Sequence, residues 1–196
     1  VVFHCSTPSR RMSNQGPAYG LSKELAEKNQ ARFNIEEARE VLAWLETTTG
    51  TPLGEGVTVD TITDADGVSE LLKDGIQLCQ LMNRLGVKTA CNAKARMPFH
   101  KMENISNFLA AAKEFGVPEI SLFQTVDLFE NKQCYKVIEC LRNLAGVAQT
   151  KNVDIEYPSW VVKFTKAAPR VFSPAVLRQG VSAVPLLNAG QNKLAS

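Results

Sequence analysis

Histidine is nearly absent from this 196-residue chain: only His4 and His100 occur, and neither joins a Cys, His or carboxylate pattern at metal-ligand spacing. No run of about 18 apolar residues exists, so no membrane-spanning helix is expected. The first residues, Val1 to Arg11, lack a basic stretch followed by an apolar core, which argues against a secretory signal. Five cysteines (Cys5, Cys79, Cys91, Cys134 and Cys140) form no Cys-x-x-Cys pair. An odd count without a signal reads as reduced cytosolic thiols rather than a disulfide framework. Val1 is not an initiator methionine; Met12 is the first Met and is read as the start, with residues 1–11 as upstream sequence.

Apparent chemical motifs are equally thin. Asp64-Ala65-Asp66-Gly67 suggests a calcium loop, but aligning Gly67 to its glycine puts Lys73 where a bidentate Glu is needed. Gly54-Glu55-Gly56 has no lysine and no strand-turn-helix context for phosphate. Asn104-Ile105-Ser106 fits a glycosylation sequon but opens a helical pattern in a chain with no secretion signal. No constellation for catalysis assembles, so the chain is read as a binding protein without cofactor or metal.

What is present is partitioned charge and helical periodicity. The net charge is +2, yet residues 1–23 carry three bases and no acid, while residues 149–196 carry six bases against Asp154 and Glu156, hence +4. Residues 24–148 hold the remaining thirteen bases and eighteen acids, hence −5. An acidic body with basic extensions suits a polyanionic partner gripped by the extensions. A nucleic-acid role would need a basic folded face with interleaved aromatics, which an acidic body does not offer.

Within residues 22–148 apolar residues recur at helical spacing. Ser22 is a cap for a short helix to about Asn29, and Asn34 with Glu37 reads as a capping box before Ile35, Ala38, Val41, Leu42 and Leu45. Trp44 falls beside that stripe and is expected in the core. Gly50 and Pro52 end the helix, and residues 50–67 read as a loop. Leu71 to Leu85 predicts one central helix, apolar over more than half its circumference. Residues 87–101 read as irregular. Ile105 to Phe115 predicts a helix closed by Gly116, and Asn131 is the expected N-cap of the last one, with Cys134, Val137, Ile138, Leu141, Leu144 and Ala148 facing inward. No strand pattern appears. The expectation is an all-α orthogonal bundle of four main helices plus short ones. From Gln149 onward Pro158, Pro169, Pro174 and Pro185 break the pattern, predicting an extended linker in which Trp160, Phe164 and Phe172 anchor either on the parent domain or on a partner.

Several of these blocks resemble the calponin and transgelin family. They are Asn14 to Ser22 (NQGPAYGLS), Asp74 to Cys79 (DGIQLC), Phe99 to Leu109 (FHKMENISNFL, with His100 at a usual Lys position) and Val126 to Glu130 (VDLFE). Val184 to Ser196 (VPLLNAGQNKLAS) resembles the first half of a calponin-like repeat, departing at Pro185 and Gln191 and stopping where the repeat would continue. The resemblance divides the chain into an N-terminal extension (1–21), a calponin-homology domain (22–148), a basic linker (149–183) and a partial repeat (184–196). It implies a cytoplasmic, non-enzymatic, muscle or non-muscle cytoskeletal protein whose partner is filamentous actin. The alternative it leaves open is a signalling adaptor that docks kinases or other cytoskeletal proteins. Neither nucleic acid nor membrane is an expected partner. Tail charge and the repeat motif nominate Lys151, Lys163, Lys166, Arg170, Arg178, Asn192 and Lys193 for actin contact, and the repeat's terminal serine nominates Ser196 for phosphorylation.

Overall fold

A computed structural model describes residues 20–54, 58–94, 96–165 and 173–176. Among these the protein is helical, with seven α-helices and no strand, as the periodicity predicts. The helices are α1 (Leu21–Arg32), α2 (Ile35–Thr49), α3 (Ala65–Leu72), α4 (Ile76–Arg84), α5 (Pro98–Phe115), α6 (Thr125–Phe129) and α7 (Cys134–Thr150). Short 3-10 turns lie at Val59–Thr61 and Glu119–Ser121. No helix among the described residues is long and apolar enough to cross a membrane.

The start and stop signals explain most boundaries. The Asn34 side chain accepts from the Glu36 amide at 3.0 Å, capping α2. Glu37 does not complete the box; its carboxylate meets Arg142 Nη1 at 2.7 Å instead. Asp64, discounted as a calcium ligand, caps α3 by accepting from the Gly67 amide at 2.8 Å, so a helix begins inside the stretch read as loop.

The single helix expected over 71–85 is two. Gly75 adopts φ 69°, and a Cβ there would stand 2.8 Å from the Asn104 Cβ. Only glycine lets the chain turn left-handed this close to α5, and α4 restarts beyond it. Pro98, read within an irregular stretch, occupies the first turn of α5, where its missing N–H costs nothing. Asn131 is not the cap of α7; it sits at φ 52° in the turn before it, a conformation asparagine tolerates better than most residues.

The core follows the apolar stripes. α4 packs against α5 and α2, and α7 lies against α2, α3 and α6. Leu42, Leu45, Leu78, Met82, Phe108, Leu141 and Leu144 are fully buried. Each such side chain contributes roughly 1.5–3 kcal/mol of hydrophobic stabilisation. Trp44 is buried, as expected. Burial pushes the thiols of Cys79, Cys134 and Cys140 up to about 12, whereas Cys91 is half-exposed. A thiol reagent at mildly alkaline pH is therefore expected to label Cys91 well before these three in the folded protein. Peptide mass mapping checks the order, and early labelling of Cys134 would contradict its burial at the start of α7.

Candidate functional site: the C-terminal strap and its cations

α7 ends at Thr150, and the residues after it turn back onto the body. This strap, 151–164, is locked by specific contacts. Trp160 sets its ring edge-on to Trp44, with centroids 6.1 Å apart and planes at 86°. The Arg142 guanidinium stands 5.4 Å from the Trp160 ring centroid, the same guanidinium that Glu37 holds. Trp44 Nε1 donates to the Glu156 carbonyl at 3.2 Å. Tyr157 donates its hydroxyl to the Val153 carbonyl at 2.8 Å, and burial, with Asp154 adding, raises its phenol above the ordinary range. Val161 is buried against the core.

The strap's end is fitted to one residue of α7. A Cβ at Gly146 would meet the Val162 carbonyl oxygen at 2.6 Å and the Phe164 ring at 2.8 Å. One turn later, Thr150 Oγ1 accepts from the Phe164 amide at 3.0 Å and donates to the Phe164 carbonyl at 3.3 Å. The two readings left open for the aromatics thus resolve for Trp160 and Phe164, which pack on the parent domain. Phe172 lies outside the described residues. Gly146, Thr150 and Arg142 had not been singled out as holding residues. The available signal was Gly146 itself, a glycine in mid-helix where alanine is about 1 kcal/mol more favourable.

Of the nominated cations the strap carries two. Lys151 places Nζ 4.2 Å from the Phe115 ring centroid, and Lys163 Nζ lies 3.4 Å from Asn152 Oδ1. Neither is in an ion pair among the described residues, and both residues are exposed. Lys166, Arg170, Arg178, Asn192, Lys193 and Ser196 lie outside the described residues. Contacts divide the chain after Phe164 into this body and a second unit, 165–196, in which 174–176 form a helical turn. No group of His, Cys, Asp and Glu suited to a metal occurs among the described residues. His100, read as having no Cys or carboxylate neighbour at metal spacing, stands beside one carboxylate, with Glu103 Oε2 at 3.6 Å one turn along α5.

Comparison with known proteins agrees with this architecture. The calponin homology (CH) domain family matches residues 35–150. Over 191 residues the chain is 38% identical to myophilin of Echinococcus granulosus, a match covering 94% of this chain and 93% of that protein. It is 36% identical over 186 residues to calponin-1 of Meleagris gallopavo, covering 93% and 96%. A solved structure of Vav1 bound by an allosteric inhibitor superposes with a TM-score of 0.54 at 30% identity, across 63% of this chain and 24% of that one.

Proposed function

The chain belongs to the calponin family of calponin-homology domain proteins, and from that premise we propose that it is a cytoplasmic, non-catalytic protein of the actin cytoskeleton that holds filaments through its cationic C-terminal segment. The observation that carries this reading is the sign of the charge: after Glu156 every charged side chain is basic, from Lys163 through Lys166, Arg170 and Arg178 to Lys193. Filamentous actin is a polyanion, and the strap delivers Lys151 and Lys163 from a fixed base on the body.

Magnitudes decide what the tail can do alone. Exposed ion pairs contribute about 0–1 kcal/mol each and are screened over roughly 8 Å at physiological salt. Micromolar affinity needs about 8 kcal/mol. The tail cations therefore give salt-sensitive attachment that further contacts must reinforce, with Asn192 and Lys193 of the repeat among them. A filament-stabilising or cross-linking role follows from such multivalency. Phosphorylation of Ser196 would add about −1.5 to −2 charges beside Lys193, offsetting roughly half the tail's charge and loosening the grip.

Cosedimentation with filamentous actin at two salt concentrations tests the reading. The truncation belongs after Phe164, because cutting at 148 would also strip Trp160 from Trp44. Removing 165–196 deletes Lys166, Arg170, Arg178 and Lys193 and no acid. The expected result is a several-fold weaker affinity with a shallower salt dependence. Equal pelleting by both chains would remove the tail from the account and favour the adaptor reading.

A further inference from the structure

Two of the thiols share one place in the fold. Cys79 lies on α4, fully buried, and Cys91 lies on the irregular connection ahead of α5, half-exposed. The side chain of Cys91 hydrogen-bonds with that of Cys79, and the Asp74 carboxylate acts on both thiols. Among the described residues Cys134 and Cys140 have other company: Asp66 acts on the first, and the Phe123 backbone and Glu139 on the second.

Cys91 is held at this spot from both sides. Asn107 Nδ2 donates to the Ala90 carbonyl at 3.2 Å. Asn104, fully buried, accepts from the Asn92 amide at 2.8 Å and donates to the Asn92 carbonyl at 3.1 Å. The Cys79 thiol, in turn, donates to the Asn104 carbonyl at 3.3 Å. One residue of α5 therefore positions both cysteines. Two groups held within reach of each other react as neighbours rather than by chance encounter.

The two thiols differ in what reaches them. A cleft of about 410 Å³, lined by Ala90, Cys91, Asn92, Lys94, Glu103 and Asn104, gives a small oxidant access to Cys91. Cys79 has no exposed surface. Burial raises both thiols, Cys79 to about 12, but at Cys91 the Cys79 thiol acts in the opposite sense by favouring the thiolate. The thiolate is the nucleophile, so Cys91 reacts first and Cys79 resolves it.

We propose that Cys79 and Cys91 are a reversible oxidation site, which a hydroperoxide closes into an intramolecular disulfide tying α4 to the connection ahead of α5. The Cys91 thiolate attacks one peroxide oxygen and the O–O bond breaks, leaving a sulfenic acid on Cys91. The departing hydroxide takes up the proton that Cys91 lost and becomes water. The Cys79 sulfur then attacks the Cys91 sulfur, the S–O bond breaks, and the hydroxyl leaves with the Cys79 proton as a second water. Two thiols have lost two electrons and two protons, and the peroxide has become two waters. A small thiol reverses the bridge by exchange. Where thiols are otherwise kept reduced, disulfides of this kind are transient and redox-sensing. The inference is independent of the actin-binding reading.

The test treats the reduced full chain with hydrogen peroxide, blocks free thiols, and digests with trypsin without reductant. Cleavage after Lys73, Arg84, Lys88 and Lys94 puts each cysteine alone in its peptide. The expected product is Asp74–Arg84 joined to Thr89–Lys94, lighter by two hydrogens than the pair and separated again by dithiothreitol. In Cys79→Ser, whose hydroxyl still donates to the Asn104 carbonyl, the Cys91 sulfenic acid has no resolving thiol. Its capture by dimedone is expected to rise several-fold over the parent. Cys91→Ser, outside the core, is expected to leave Cys79 reduced, and thermal melts establish that both variants fold. A parent in which Cys91 is oxidised while Cys79 stays free would overturn the proposal. So would a bridge from Cys91 to Cys5 or to a second chain, or a joined peptide no more abundant than without peroxide.

Discussion

Replacing Asn104 with alanine is expected to lower the unfolding free energy by about 3–5 kcal/mol, one of the largest effects of any single polar substitution here. Asn104 is fully buried on α5. Besides its two bonds to the Asn92 backbone, its Nδ2 donates to the Asp74 carbonyl at 2.9 Å. Truncation strands the Asp74 and Asn92 carbonyls and the Asn92 amide at once, each orphan costing about 1–3 kcal/mol before water relieves it. The carbonyl of Asn104 also accepts from the Cys79 thiol at 3.3 Å, so a shift of α5 would reach α4. For a protein of this size the loss corresponds to roughly 10 °C in midpoint. Thermal unfolding followed by circular dichroism measures it. Asn107→Ala, which strands only the Ala90 carbonyl near solvent, is the comparison and should cost about 1 kcal/mol or less. Equal midpoints for the two variants would mean that water replaces the buried amide without penalty.

The second large effect is expected from Gly146→Val. A side chain there collides with the Val162 carbonyl and the Phe164 ring, and backbone cannot step aside as a flexible side chain would. The strap must lift from α7, releasing Val161 and Trp160. Overpacking of this kind costs about 1–3 kcal/mol. Valine is a slightly better helix former than glycine, so any loss belongs to the strap and not to α7. Two readouts follow. Tryptophan fluorescence should shift, because Trp44 and Trp160, the chain's two tryptophans, lose their edge contact. Trypsin should cut faster after Lys151 and Lys163. Trp160→Ala, which removes the same contact from the other side, should reproduce the proteolysis. Unchanged fluorescence and unchanged cleavage in Gly146→Val would show that the strap is not seated on Gly146.

These two residues show where sequence reasoning reached and where it stopped. Asn104 attracted notice only as part of a sequon and of a block shared with the family, and Gly146 not at all. Their importance comes from backbone groups 12, 30 and 16 residues away, brought close by the fold. No periodicity records such a meeting. The same holds for the break at Gly75, whose neighbour Asn104 comes from another helix. Helix boundaries set by local chemistry, such as the caps at Asn34, Gly50 and Gly116, were legible because donor and acceptor lie within one turn. Cys79 and Cys91 were in plain view, but twelve positions apart they fit no spacing that pairs cysteines.

Family, helical class, the inward-facing stripes and the basic sign of the C-terminal segment were determined by the sequence alone, because each depends on residue type at short and regular spacing. Tertiary structure alone decided that the first residues after α7 are a docked strap, that Asn104 is the clasp of the α4–α5 connection, and that Cys79 and Cys91 are neighbours. The physical reason is that burial and hydrogen-bond partnership are properties of pairs far apart in the chain, and only the packed helices choose those pairs.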